Sequence, residues 1–571
     1  MNKFDRIFWK RLAKLVKPYW VSDQKWVAFG LVIVIVLLSA LIKGSTVVFS
    51  YVNRDLMTAL TTRDAPEFYR KLLLVIIYNV MLAPAIAFGG YVSAKLMIKW
   101  RQWLTEEFLD KSFQDRAFYR ISFDTSVDNP DQRISEDLNT FAGFMVTFSL
   151  QVLEGAASGG AFLVVLWLIS PVLVLVFVAC VGLGSLLTIV IGHPLIGINF
   201  AQRRREADFR YALVGLRDNA EAIALYGGER HKERELLQRF YAAIKNLNLM
   251  IVWQRNLAFF TYGFDFLLPL VPYVVLAGPF FVGKVEFGKI TQASGAFVTL
   301  RTSFSIIIDQ FNLVSGFAAV VERLGGYLEA AEGFQPPQVP AAISVETIQP
   351  QIETIEAPRV AVEALTLETP DHVKTLVREL SFEVAVGERL LIVGESGVGK
   401  TSLLRAVAGL WRAGSGRIIR PPLGEVMFLP QRPYMILGSL RDQLCYPHTG
   451  EVSDSELAAI LMQVNLEDLP DRVGGFDAEA KWHDLLSLGE QQRIAFARLL
   501  FNHPVYAFLD EATSALDPGN EAVLYDCLAA ARISVISVGD RVRLSAYHHQ
   551  LLELLGAGDW RIGSSERGRS V

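Results

Sequence analysis

The chain predicts two architectures in series: an α-helical membrane domain of six spans over residues 26–325, then an α/β domain with a mostly parallel sheet over residues 359–571. Three observations predict this. At 571 residues the chain is too long for one compact domain. Apolar residues make up 52% of it and charged residues only 20%, more apolar side chain than a water-soluble protein of this length needs. The apolar residues are also unevenly spread, in long runs in the first half and in short runs set between helical patterns in the second.

Residues 1–25 come first. Lys3, Arg6, Lys10, Arg11, Lys14 and Lys17 occupy one helical face, and Phe4, Ile7, Phe8, Leu12, Leu15 and Val16 the other. The apolar run that follows is too long for a signal peptide and no small-residue cleavage site ends it. An amphipathic helix lying on the inner leaflet is expected. Next come runs that each reach the ~20 residues a membrane helix needs, near 26–51, 71–98, 143–169, 172–197, 251–282 and 292–320. Pro84 interrupts the second, Pro269, Pro272 and Pro279 the fifth, and Ser170-Pro171 predicts a tight hairpin between the third and fourth. Segments 99–142 and 198–250 are polar, helical in pattern and rich in Lys and Arg, including Arg203-Arg204-Arg205. The positive-inside rule places them, the N-terminus and residue 325 in the cytoplasm. Charges inside spans are costly and tend to face a cavity, so Glu154, Asp265, Arg301 and Asp309 are candidate cavity or gate residues, a structural ion pair being the equal alternative.

Residues 326–358 carry Pro336, Pro337, Pro340, Pro350 and Pro358 without periodicity, the pattern of a flexible linker. Beyond it, Leu390–Val393, Val426–Leu429, Ala507–Leu509 and Val535–Val538 read as buried strands alternating with helices. The net charge of −4 points to no nucleic-acid partner. Cys180, Cys445 and Cys527 lie far apart, with neither disulfide nor metal spacing.

The chemistry is concentrated in the second domain. After the first of those strands comes Gly394-Glu395-Ser396-Gly397-Val398-Gly399-Lys400-Thr401, and a helix follows from Ser402. Strand, glycine-rich turn and helix are the setting a P-loop requires. Its backbone N–H groups can wrap the phosphates of ATP at the positive end of the helix. Lys400 can reach the β- and γ-oxygens, and the Thr401 hydroxyl can ligate Mg2+. The strand Val505–Leu509 ends in Asp510-Glu511. Beside a P-loop, Asp510 can hold Mg2+ and Glu511 can polarise the attacking water as general base.

Leu486-Ser487-Leu488-Gly489-Glu490-Gln491-Gln492-Arg493 resembles the signature of ABC transporters. Gln431 matches the family's Q-loop glutamine, a catalytic and metal-side residue, and Ser514-Ala515-Leu516-Asp517 its D-loop. The resemblance covers the whole second domain, and the six-span pattern extends it to an exporter-type half-transporter. It implies that Ser487, Gly489 and Glu490 complete the ATP site of a second copy of the chain, so a homodimer is expected, in a lipid bilayer. The signature variant, the loop Asp128-Asn129-Pro130-Asp131-Gln132-Arg133-Ile134 and the segment Glu221-Ala222-Ile223-Ala224-Leu225-Tyr226-Gly227-Gly228-Glu229 resemble subfamily D and its SbmA/BacA-like relatives. In that group both segments would be coupling elements. The resemblance implies an ATP hydrolase moving cobalamin or another bulky hydrophilic compound. Fatty-acyl-CoA or peptide transport is the alternative, as is an ATP-gated channel with weak hydrolysis.

Two positions depart from the family. Where its switch histidine follows a strand, this chain has Val538-Gly539-Asp540-Arg541, which puts Asp540 at a catalytic position. Residues 364–372 lack the tyrosine that stacks on adenine, and His372 is the available ring. A histidine can donate to the γ-phosphate, whereas an ionised aspartate at ~4 Å repels it by roughly 4 kcal/mol at an effective dielectric near 20. Replacing Asp540 by His is therefore predicted to raise the steady-state ATPase rate, and Asp540→Ala to change it little. Rates of the three proteins from about pH 5.5 to about 8.5 check this. Loss of activity in Asp540→Ala would make the carboxylate itself catalytic.

Overall fold

The computed structural model describes residues 5–123, 127–309, 311–333, 352–370, 372–448, 452–539 and 541–565. The chain divides into two compact units, Met1–Ala341 and Ala342–Val571.

Among its described residues the first unit is helical, and its longer helices are α1 (Arg6–Val21), α2 (Lys25–Thr62), α3 (Ala65–Phe113), α4 (Leu138–Ile169), α5 (Pro171–Asp218), α6 (Glu229–Leu267), α7 (Val271–Phe281), α8 (Phe287–Asp309) and α9 (Phe311–Ala331), with shorter helices among the connections. Among the described residues, five helical stretches are long and apolar enough to cross a membrane: Lys25–Thr62, Ala65–Phe123, Pro130–Ile169, Pro171–Asp218 and Glu229–Phe281. The expected sixth span, 292–320, falls across α8 and α9, and residue 310 between them is outside the described residues. The polar segments are continuations of the spans. The 48 residues of α5 measure about 70 Å at 1.5 Å per residue, more than twice the ~30 Å hydrocarbon core. At Ser170 the chain leaves α4 in an extended conformation and Pro171 opens α5, which is the hairpin expected there. Pro84 sits inside an unbroken α3, whereas Pro269 lies in a 3-10 turn, Leu268–Leu270, that separates α6 from α7.

The first helix departs from expectation. The Asp5 carboxylate caps it by accepting from the N–H groups of Ile7 and Phe8. Part of its apolar face packs on protein: Leu15 and Tyr19 are almost fully buried while Ile7 is exposed, and Tyr19 stacks on Trp100 of α3 with ring centroids 5.3 Å apart. Its basic face reaches α9, where Arg11 makes a two-pronged bond to Glu329 at 3.0 and 2.7 Å and Lys14 pairs with Glu332. Opposed charges on α9 draw the helix onto the bundle, a partner that its own moment could not reveal.

The loop at 128–134 is an anchor within this unit. Arg133 is buried and donates to the Asp128 carbonyl at 2.9 Å and the Arg323 carbonyl at 2.7 Å, while Arg323 grips the buried Asp137 at 2.7 and 2.5 Å. The 221–229 segment forms a short helix, Ala220–Leu225, and a turn in which Gly227 has φ 62°; Leu225 and Tyr226 there are exposed. Two of the charged span residues are paired with each other, Arg301 to Asp265 at 2.6 Å. Glu154 meets Lys43 at 3.0 Å and lines a cavity of about 340 Å³ with Ser39 and Ser93. The side chain of Asp309 is outside the described residues.

Among its described residues the second unit holds ten strands: β1 (Glu353–Glu356), β2 (Val360–Glu368), β3 (Thr375–Val384), β4 (Arg389–Gly394), β5 (Gly414–Arg420), β6 (Val426–Leu429), β7 (Tyr506–Asp510), β8 (Ser534–Val538), β9 (Gln550–Gly556) and β10 (Asp559–Ser564). They form a four-stranded sheet in the order β1-β5-β2-β3 and a six-stranded sheet in the order β10-β9-β4-β8-β7-β6. From β9 to β6 every pairing is parallel, so the four strands read from sequence are neighbours. Residues Leu390–Val393 and Val535–Val538 are buried throughout, as helices on both faces of a parallel sheet require. The linker reading needs correction at both ends. α9 runs on to Ala331, and β1, inside 326–358, pairs with β5 from Glu353 to Glu356. Four alternating residues against a sheet edge leave little signal amid five prolines; residues 334–351 are outside the described residues.

Candidate active site

Parallel pairing brings the carboxyl ends of β4, β7 and β8 to one edge, where α/β sheets bind ligands. β4 ends in Gly394, the loop Glu395-Ser396-Gly397-Val398-Gly399 follows, and Lys400, Thr401 and Ser402 form the first turn of α10 (Lys400–Val407). Gly394 has φ 148°, and a Cβ there would lie 2.5 Å from the Leu554 carbonyl oxygen, so no other residue fits. Gly399 precedes the helix at φ 108°. The Lys400 ammonium curls back onto the loop and donates to the carbonyls of Gly394 and Glu395 at 2.6 and 2.8 Å.

Asp510 and Glu511 leave the end of β7. The Thr401 hydroxyl donates to Asp510 Oδ1 at 3.2 Å. Burial pushes the Asp510 carboxyl above its ordinary value, with the Thr401 bond pulling the other way. Hydroxyl and carboxylate together make a hard oxygen pair of the kind Mg2+ takes alongside substrate phosphates. Among the described residues no cluster of three His, Cys, Asp or Glu exists to cage a metal without them. Glu511 adopts φ 48°, a conformation few side chains tolerate, and its N–H donates to the Val538 carbonyl at 3.0 Å. Gln431 donates to Glu511 Oε2 at 2.7 Å, which places it on the acid of the pair furthest from Thr401.

Sequence reasoning missed Gln492. Its amide donates to the Gln431 carbonyl at 3.2 Å and to Ser514 Oγ at 3.3 Å, and its Oε1 accepts from Ala515 N–H at 3.1 Å. It is fully buried and ties three motifs together, a role a residue inside the signature run does not announce. Ser487 caps α11 (Leu488–Asn502) in a capping box: its hydroxyl accepts from Glu490 N–H at 3.3 Å, and Glu490 Oε2 accepts from Ser487 N–H at 2.9 Å. Glu490 also pairs with Arg472 at 2.6 Å. Although burial pushes its carboxyl up, the Arg472 and Ser487 bonds outweigh that and hold it low. Glu490, expected at the nucleotide, is thus committed to shaping the helix start from which Ser487 and Gly489 project.

A cavity of about 300 Å³ opens at this edge, its lining including Gly394, Lys400, Glu511, Ser514, Gly539 and Arg543. None of Ser487, Gly489 and Glu490 lines it. Asp540 is outside the described residues. His548 does not take its place: it is buried, with Nε2 2.9 Å from Ser537 Oγ and Nδ1 2.8 Å from the Leu544 carbonyl. His372 sits at φ 55° with Nδ1 2.6 Å from Glu368, half-exposed on a turn.

Two family descriptions match: "ABC transporter transmembrane region 2" over residues 14–281 and "ABC transporter" over residues 377–514. Membrane-long helices and an ATP-binding unit in one chain make this an ABC half-transporter. A solved structure of a bacterial Atm1-family ABC exporter with ATP bound matches with a TM-score of 0.73, covering 94% of this chain and 96% of that one at 18% identity, a likeness of fold. Among curated proteins, the chloroplastic ABC transporter D family member 2 of Arabidopsis thaliana is 36% identical over 98% of this chain and 88% of its own length. The lysosomal cobalamin transporter of Mus musculus is 30% identical over 97% of this chain and 95% of its own. The chain belongs to the ABC transporters of subfamily D. It is a multi-pass membrane protein with its ABC domain in the cytoplasm, and that domain couples ATP hydrolysis to transport.

Burial holds the His548 imidazole down from 6.5 to about 4. The folded state then binds fewer protons than the unfolded state, so the stability that neutral His548 supports is complete above 6.5 and is lost as pH falls toward about 4. The melting temperature of the purified protein should drop between about pH 7 and about 5, and His548→Gln should flatten that slope. An unchanged slope in the variant would remove His548 from the acid response.

Proposed function

We propose that two copies of this chain, with six spans each, form a transporter that moves a bulky hydrophilic compound, cobalamin foremost, on ATP binding and hydrolysis. One observation carries the two-copy reading: the cavity holding Lys400 and Glu511 is not lined by Ser487 or Gly489. Those signature groups complete the site of the other copy, which gives two shared ATP sites per dimer. The substrate reading is supported by likeness over nearly the full length to a protein whose name assigns it cobalamin. The sixth span is assigned to residues 292–320, across α8 and α9. Leu225 and Tyr226 are exposed on their turn, in the segment that resembles a coupling element of subfamily D.

In this reading Lys400 holds the β- and γ-phosphate oxygens once it leaves the loop carbonyls. Thr401 and Asp510 would hold Mg2+, which when bound would neutralise charge on the phosphates. Glu511 accepts the proton of the attacking water, and Gln431, bonded to Glu511, orients that carboxylate.

Removing the cation in Lys400→Ala should abolish nucleotide binding, while Glu511→Gln should keep ATP bound but uncleaved. The trapped protein should then crosslink between a cysteine near Ser487 of one copy and one near Gly397 of the other. Parent-like hydrolysis by Glu511→Gln would exclude it as the base.

The substrate assignment is decided in proteoliposomes. ATP-dependent movement of cyanocobalamin, absent in Glu511→Gln, is the expected result. Movement of fatty-acyl-CoA or peptide instead, with cobalamin unmoved, would reassign the substrate.

A further inference from the structure

The cavity beside the P-loop contains a second cation that the resemblance to the family does not supply. Arg543 lines it together with Lys400 and Glu511, three residues beyond Asp540 in the sequence. Its guanidinium is held by Glu521, which with Thr513 also lines the cavity. Nη2 pairs with Glu521 Oε2 at 3.0 Å and donates to the Leu516 carbonyl at 3.1 Å. Glu521 is buried at 4% exposure, and its other oxygen accepts the Thr513 hydroxyl at 2.6 Å. Among the described residues both Arg543 bonds leave from Nη2, so Nε and Nη1 remain for a ligand. The side chain is 39% exposed and reachable from the cavity.

A guanidinium presents donors in a planar fork that suits phosphate oxygens, and one locked by a buried carboxylate needs little reorganisation to meet them. We propose that Arg543 binds the γ-phosphoryl oxygens of ATP in this protein and supplies the donor that the family's histidine supplies elsewhere. In hydrolysis the water oxygen bonds to the γ-phosphorus. The bond from that phosphorus to the bridging oxygen breaks, and its electron pair leaves on ADP. The water proton passes to Glu511, and inorganic phosphate is released. Arg543 transfers no proton; it meets the negative charge on the γ-oxygens. Glu521 is a positioning residue that acts through Arg543, and Thr513 orients Glu521.

The inference rests on the reading that Lys400 and Glu511 mark the phosphate end of the site, and the test separates the two. Affinities for ATP and ADP are measured in the Glu511→Gln protein, where no turnover intervenes. Adding Arg543→Gln should weaken ATP about tenfold while ADP stays within about twofold, since only ATP carries the γ-group. Arg543→Lys, which keeps the charge but not the fork, should recover part of the ATP affinity. Equal weakening of both nucleotides, or no change in either, would overturn the proposal. If Arg543→Gln fails to fold, the Lys variant decides, an unchanged ATP-to-ADP ratio counting against Arg543. Lys400→Ala serves as the check on the site itself: if it still binds both nucleotides, the assignment of the phosphate end has failed and not the role of Arg543.

Discussion

Parallel pairing of β4 with β8 and of β8 with β7 is the constraint on which the rest of the ATP-binding unit depends. It aligns Ile392 with Val538 and Val538 with Asp510, so three chain segments far apart in sequence end at one edge. The P-loop, the acid pair and the segment after β8 then share a cavity without any of them having to reach for the others. The same register has the Glu511 N–H donate to the Val538 carbonyl at the point where the chain turns off the strand with φ 48°.

Hydrogen bonds radiating from this edge bind the motifs to one another. Gln492 reaches back from α11 to Gln431 and forward to Ser514 and Ala515, so the signature helix, the Q-loop and the D-loop move as a connected set. The capping box at Ser487 serves the same end, since it satisfies orphan N–H groups at the start of α11 and leaves a helix terminus whose positive end suits an anion. Buried polar networks of this kind are costly when incomplete and specific when complete.

The membrane unit is organised by a different economy. Charges inside it are paired, Arg301 with Asp265 and Lys43 with Glu154, because an unpartnered ion in hydrocarbon would cost several kcal/mol. The N-terminal helix likewise finds part of each half of its amphipathic pattern answered by protein, aromatic rings of α3 on one side and the acids of α9 on the other. Arg133 and Arg323 lock the turn before α4 to α9 through carbonyls and a buried carboxylate.

The sequence alone determined five of the helical spans, the four parallel strands and the order of the phosphate-loop, acid-pair and signature segments. Each of these is a local pattern: apolar length for a span, a continuous buried run for a parallel strand, glycines before Lys400 for a phosphate turn. The antiparallel pairing of β2 with β3 escaped because the two strands are bent by Ala364 at φ 46° and Glu379 at φ 47°, which shift register and blur the alternation. β1 escaped for its shortness. Only the tertiary structure decided what faces what: that Glu490 answers Arg472 and the helix start, that Gln431 lies on Glu511, that His548 is sealed behind the sheet, and that Arg543 enters the cavity. Those are contacts between residues dozens of positions apart or turned by a helix, and side-chain direction at such range is set by packing, which no local pattern encodes.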